Sequence, residues 1–278
     1  MLLYGLLAYL RKSQGAKYNM IIFIVFLIIG MLLFILMMYR NGLENNLTKH
    51  TFTFEHLPKS FSPLKIFFIS DIHRRVISSS LLEQVPNSID LVIIGGDLSE
   101  SGVPQKRIEE NIKMLQNIAP TYFVFGNNDY EIGKENLEKW LKKYHVILLN
   151  NTSKSLTTNS GETIYLIGVE DMSEEKDRLD LALDNVPQKA FKLLISHNPD
   201  IYQKVEKQDE IALILSGHQH GGQIRLFGYG LYKKGKVHRL KKSILLISNG
   251  YGTSGLPLRL GAPAEAHYIE IRNKLEYK

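Results

Sequence analysis

Seven side chains able to bind a metal follow five apolar runs in this 278-residue chain. KIFFIS runs into Asp71-Ile72-His73, DLVIIG into Gly96-Asp97, and TYFVF into Gly126-Asn127-Asn128-Asp129. KLLIS runs into His197-Asn198-Pro199, and IALILS into Gly217-His218-Gln219-His220. Imidazole with carboxylate suits zinc, iron or manganese, whereas calcium and magnesium prefer shells of oxygen. Asp71, His73, Asp97, Asn127, His197, His218 and His220 are too many ligands for one ion. Two ions sharing one bridging carboxylate would use them all. Such pairs, about 3.5–4 Å apart, clamp the attacking and leaving oxygens of an in-line displacement. Gly96, Gly126 and Gly217 are expected to allow the sharp turns that aim the residues after them.

The elements that must position these residues follow from the pattern. From Leu64 onward, short apolar runs alternate with helical stretches, the latter expected at 79–85, 104–118, 134–144, 176–183 and 199–205. That alternation predicts an α/β domain with both sheet faces covered. In open α/β sheets, ligands bind outside the carboxyl ends of strands, so five strand ends carrying ligands predict one site.

The ordered set Asp-x-His, Gly-Asp, Gly-Asn-x-Asp, His, Gly-His-x-His resembles the calcineurin-like metallophosphoesterase superfamily over about Leu64 to Arg272. The stretches Gly217–Ile224 (GHQHGGQI) and Gly252–Pro263 (GTSGLPLRLGAP) are similar to a narrower branch. That branch holds small, often membrane-attached bacterial phosphoesterases related to UDP-2,3-diacylglucosamine pyrophosphohydrolases. The resemblance implies a four-layer αββα sandwich. It also implies that Asp71, His73 and His220 hold one metal, that Asn127, His197 and His218 hold a second, and that Asp97 bridges. A metal-bridged hydroxide would then attack a phosphodiester or diphosphate. Members commonly carry histidine where this chain has Asn128, on the leaving-group side. Asparagine donates a hydrogen bond but is no general acid near pH 7. Arg74 and Arg75 follow the first motif and are candidate phosphate binders. A catalytically weak binding protein on the same fold and a nuclease of the superfamily are the competing functions.

Residues 20–39 are twenty uncharged residues, MIIFIVFLIIGMLLFILMMY, long enough as a helix to cross a bilayer. Arg40-Asn41 follows with no small-residue cleavage site, which reads as an uncleaved single-pass anchor to the cell membrane. The expected organisation is an N-terminal flank over 1–19, the span over 20–39, a polar linker and approach strand over 40–60, and the metallophosphoesterase domain over 61–278. Arg11, Lys12 and Lys17 before the span, against Arg40, Lys49 and Lys59 after it, lean toward an extracytoplasmic domain.

The net charge is +6, and the first 50 residues hold five basic residues against one acid. The remainder holds 29 basic and 27 acidic residues, which argues against a nucleic-acid-coating surface. Expected partners are therefore a small-molecule or lipid-linked phosphoester or diphosphate and the membrane itself. A run from Lys233 to Lys242 is the densest basic patch outside the anchor and could meet anionic headgroups. The absence of cysteine excludes disulfides, thiolate zinc sites and cysteine nucleophiles.

Overall fold

Neighbouring side chains in each apolar run point to opposite sides of a sheet, and both sides are buried. The computed structural model describes residues 2–277, with side chains for 17–275. A long helix α1 (Leu2–Gly42) leads into β1 (Asn46–Phe54). Then come β2 (Leu64–Ile69), α2 (Ser79–Leu82), β3 (Leu91–Ile94), α3 (Gln105–Gln116), β4 (Thr121–Phe123), α4 (Lys134–Lys143) and β5 (Ile147–Leu148). The second half runs β6 (Thr152–Thr157), β7 (Thr163–Gly168), α5 (Leu179–Ala182), β8 (Phe191–Ile195), β9 (Ile211–Ser216), β10 (Val237–Arg239) and β11 (Ile244–Ile247). Last, β12 (Glu265–Asn273) returns to the first sheet. The two six-stranded sheets have the orders β1-β12-β2-β3-β4-β5 and β10-β11-β9-β8-β7-β6.

Three apolar layers hold the sheets. Phe68, Ile93 and Val124 of the first sheet pack against Leu166, Leu193 and Leu215 of the second. The outer face of the first sheet, with Phe67, Val92 and Phe123, meets Ile108, Ile112 and Leu115 of α3 and Leu137 and Leu141 of α4. Those helix positions recur at three- and four-residue spacing, one stripe of an amphipathic helix. The outer face of the second sheet, with Ile167, Leu194 and Ile214, meets Leu179 and Ala182 of α5 and Ile201. The order helix, sheet, sheet, helix is the αββα sandwich. Each such Leu, Ile or Phe contributes roughly 1.5–3 kcal/mol on full burial.

Several elements differ from the expectation. Within 40–60, where a polar linker and approach strand are expected, the strand is β1, which pairs in parallel with β12 along nine residues. Strands β6 and β10 lie at sheet edges and are largely polar, so they carry no apolar run to announce them. Helices expected at 79–85 and 176–183 shrink to single turns, and 199–205 becomes a 3₁₀ turn at Pro199–Gln203. The apolar helix extends well past 20–39 on the N-terminal side and three residues past it on the other; the most apolar 18 residues within Lys17–Gly42 have mean hydropathy 3.3, and that segment is long enough to cross a membrane. Its described side chains up to Leu36 are exposed.

The last turn of α1 is fastened to the domain. The Arg259 N–H donates to Met38 O at 2.9 Å. The Arg75 guanidinium donates to Gly42 O, Leu43 O, Glu44 O, Tyr251 O and Asn45 Oδ1, and stacks 3.8 Å from the Tyr251 ring centre. Burial lowers its pKa, with the charge compensated by this cage of oxygens. Removing it forfeits several hydrogen bonds to a charged group, each about 1.5–3 kcal/mol. Arg75→Ala should therefore raise the rate of limited proteolysis within residues 43–45 roughly tenfold or more, with the sandwich still resistant. An unchanged cleavage rate would show that the clamp does not hold the junction.

Candidate metal centre

Parallel strands from both sheets end at one place. Asp71 and His73 follow β2, Asp97 follows β3, and Asn127 and Asn128 follow β4. His197 follows β8, and His218 and His220 follow β9. The two sheets are stitched there: the His218 N–H donates to Asp71 Oδ1 at 3.0 Å, and His197 Nδ1 lies 2.9 Å from Gly95 O. All seven residues predicted as ligands converge. Ligand atoms of Asp71, His73 and His220 lie within 4.8 Å of one another, and so do those of Asp71, Asp97 and His197.

The local backbone is unusual. Asp71, His73, Asp97, His218 and His220 all have φ between 48° and 71°, a left-handed conformation that costs most residues energy. The glycines do two different jobs. Gly96 has φ 84° and makes the expected turn, with a Cβ there reaching 2.6 Å from His197 Nδ1. Gly126 and Gly217 have no such φ. They are glycines because a Cβ would overlap Asp97 Oδ1 in the first case and Asp71 Oδ2 in the second.

Hydrogen bonds decide which ring nitrogen faces the centre. His197 Nδ1 faces the Gly95 carbonyl, so Nδ1 carries the proton and Nε2 keeps a lone pair. That Nε2 is buried without an aligned hydrogen bond, 3.2 Å from Asp97 Oδ2. His73 Nδ1 faces Glu100 Oε2 at 2.9 Å, which turns its Nε2 toward His220 Nε2 at 3.0 Å. That separation suits either one proton shared between the two nitrogens or one metal ion bound by both. Two nitrogens each about 2.1 Å from one ion sit roughly 3.0–3.4 Å apart. On the other side His218 Nδ1 lies 3.0 Å from Asn127 Oδ1. The donor set and its spacing fit divalent transition metals.

Electrostatics agree. Burial opposes charge on Asp97, yet His197, His73 and the Asn128 N–H hold its carboxyl well below the usual carboxylate range. Burial likewise disfavours charge on His197, and Asp97 overcomes it, raising the imidazole well above its ordinary value. The centre thus demands positive charge, which protons or a metal can satisfy; a metal displaces the protons.

Two contributors escaped the sequence reading. Glu100, three residues beyond Asp97, fixes the His73 ring and is itself gripped by Arg74. Asp171, just after β7, is fully buried and adds negative charge felt by His197 and His218. The only hint of either was an acidic residue close behind a strand or a motif. Asp129 accepts from Gly126, Asp97 and Ser99 N–H groups, so it shapes the Asp97 turn. The two arginines part ways: Arg74 supports Glu100, and Arg75 is spent on the α1 junction. Neither lines the cleft of about 300 Å³ bordered by Asp97, Asn127, Asn128, His218 and His220.

Loss of a carboxylate behind a metal-binding histidine typically costs 10–100-fold in metal affinity. Glu100→Ala should weaken divalent-metal binding by about that factor in a chelator competition, with secondary structure unchanged by circular dichroism. Unaltered affinity would mean that the His73 ring is fixed by something else.

Comparison with known proteins gives the centre its context. The family model described as calcineurin-like phosphoesterase matches residues 64–222. YpbG of Bacillus subtilis (strain 168), an uncharacterized protein, is 46% identical over 236 residues, covering 84% of this chain and 90% of YpbG. The phosphodiesterase YaeI of Escherichia coli (strain K12) is 28% identical over 177 residues; the match spans 59% of this chain and 63% of YaeI. A solved candidate 5'-nucleotidase of Staphylococcus aureus, in complex with alpha-ketoglutarate, superposes with TM-score 0.51 at 13% identity. It shares the fold over 75% of this chain and 54% of its own. With the matched segment carrying the five motifs and the converging ligands, the chain belongs to the calcineurin-like phosphoesterase family and is a metal-dependent phosphoester hydrolase.

Proposed function

We propose that the chain is a membrane-anchored phosphohydrolase with two metals, acting on phosphodiesters or diphosphates, soluble or lipid-linked. The observation that carries the dinuclear reading is the position of Asp97. Its Oδ1 accepts from the Asn128 N–H at 2.9 Å. Its Oδ2 lies 3.6 Å from His73 Nε2 on one side and 3.2 Å from His197 Nε2 on the other. One carboxylate oxygen therefore faces both ligand groups. Asp71, His73 and His220 would hold the first ion, Asn127, His197 and His218 the second, with Asp97 shared. Bound divalent ions would lower the pKa of water to supply the nucleophile and would draw charge off the phosphoryl oxygens.

The chain's own groups do the rest. The buried second-sheet and first-sheet ligands fix where a phosphate can sit, at the floor of the cleft. Asn128 borders that cleft, with its Nδ2 donating to Glu131 Oε1 and its Oδ1 accepting from Asn127. Held this way, it orients and donates a hydrogen bond but has no proton to give a departing alkoxide. The substrate must bring a good leaving group, as diphosphates and aryl diesters do.

Residues 20–39, within the longer apolar helix, would span the cell membrane once, with the hydrolase domain over 61–278 joined through 40–60. Arg11, Lys12 and Lys17 favour a cytoplasmic N-terminus and an extracytoplasmic domain. The near-balanced charge after residue 50 speaks against the nuclease alternative.

Removing the shared ligand should be worse than removing an unshared one. Metal analysis of the reconstituted full-length protein should find about two divalent ions in the wild type, about one in His220→Ala, and fewer than one in Asp97→Ala. A wild-type content of one ion at saturation would rule out the pair.

General-acid catalysis is worth roughly 10²–10⁴ in rate for a poor leaving group and little for a good one. Across substrates of graded leaving-group pKa, kcat/KM of the wild type should fall steeply as the leaving group becomes more basic. Asn128→His should flatten that slope by rescuing the poor leaving groups. Equal slopes would mean that another residue already donates the proton.

A further inference from the structure

The loop between the last ligand histidine and β10 leaves an apolar surface uncovered. Phe227 is 99% exposed, Tyr229 84% and Leu231 85%, with Leu226, Tyr232 and Leu256 beside them also exposed. Scattered apolar residues on a surface are ordinary, whereas a contiguous group marks an interaction site. This loop is not a loose one. The Arg225 guanidinium donates to Gly221 O, Gly228 O and Tyr232 O, and the Leu226 and Tyr229 backbones bond each other in both directions. The backbone is thus pinned from inside while its large side chains face outward.

Its position is tied to the anchor. Gln223 Nε2 donates to Ser254 O and Leu256 O, and the Arg225 N–H donates to Leu260 O. The same 253–260 stretch meets the end of α1: Arg259 N–H bonds Met38 O, Asn41 Nδ2 reaches Arg259 O, and a Cβ on Gly42 would lie 2.9 Å from Pro257 O. The exposed apolar group therefore hangs from the foot of the apolar helix. Immediately after it come Lys233, Lys234 and Lys236, all exposed or half-buried, a flank suited to anionic headgroups. Tyrosines beside aliphatic and phenyl side chains, with cations behind, are the composition of a segment lying in the interfacial layer.

We infer that the loop Leu226–Tyr232, with Leu256, seats in the interfacial layer of the bilayer that α1 enters. This rests on the anchor reading above and extends it: the domain is docked on the membrane by a second contact rather than swinging on a tether. Leu231 and Tyr232 also border the cleft, so docking brings the mouth of the cleft to headgroup level.

The cysteine-free sequence permits a direct test. Single cysteines at Phe227→Cys, Leu33→Cys and Ser160→Cys in the full-length chain are labelled with an environment-sensitive fluorophore and reconstituted into phosphatidylcholine–phosphatidylglycerol vesicles. Quenching is read with aqueous iodide and with nitroxide-bearing lipids. Leu33 reports the helix, and Ser160 is an exposed residue of the domain between β6 and β7. The expected result is lipid quenching at Leu33 and Phe227, with iodide quenching at Phe227 at least about threefold weaker than at Ser160. Lipid quenching at Leu33 with iodide quenching at Phe227 equal to that at Ser160 would overturn the docking contact and leave the anchor standing. Iodide access at Leu33 would overturn the anchor and the docking with it. Shielding of Phe227 from both quenchers would mean that protein covers the loop, and would also overturn the inference.

Discussion

Two carboxylates buried among imidazole lone pairs set the terms for the rest of the molecule. Asp71 and Asp97 are both out of solvent, and burial of unpaired charge is costly. His197, His73 and His220 surround them, with ring tautomers fixed by Gly95 O and Glu100 so that two of the rings present bare nitrogens inward. That arrangement calls for positive charge among the rings, supplied by protons or by a metal. A folded chain that carries it has to keep the surrounding scaffold stiff enough to hold two imidazole nitrogens 3.0 Å apart.

The αββα sandwich supplies that stiffness. Candidate ligands are carried on the ends of parallel strands whose bodies are buried on both faces, rather than on long loops. The close approach of the two sheets then sets the local chemistry of the chain. Five candidate ligand residues adopt left-handed backbone conformations, Gly217 leaves room for the Asp71 carboxylate of the facing sheet, and Gly126 leaves room for the Asp97 carboxylate of the neighbouring strand's turn. Asp129, with three N–H donors, and Glu100, with Arg74 behind it, brace the turn from outside.

The sequence was most legible where its patterns are shortest in range. Apolar runs such as DLVIIG and KLLIS named the central strands because both faces of those strands are buried. The residues that meet at the candidate centre were legible because each lies just behind such a run. Edge strands β6 and β10 were obscured by their polar, half-exposed character. Glu100 and Asp171 were obscured because an acid near a strand end carries no spacing signal of its own. Arg75 shows the opposite failure: its place next to Asp71-Ile72-His73 suggested a phosphate binder, yet its guanidinium faces the chain leaving the long apolar helix. Adjacency in sequence did not reveal that residues 42–45 would arrive from the other side. The different reasons for Gly96 and for Gly126 and Gly217 were equally invisible, since steric contact with a neighbouring strand's turn or a facing sheet leaves no local mark.

The proposed sharing of an Asp97 carboxylate oxygen is where the chemistry stands or falls. The most direct measurement is electron paramagnetic resonance of the full-length protein reconstituted with manganese(II). Two ions sharing Asp97 are close enough to couple magnetically, which predicts the multiline spectrum of a coupled pair at full loading. A spectrum that keeps the six lines of isolated manganese at every loading would contradict a shared centre.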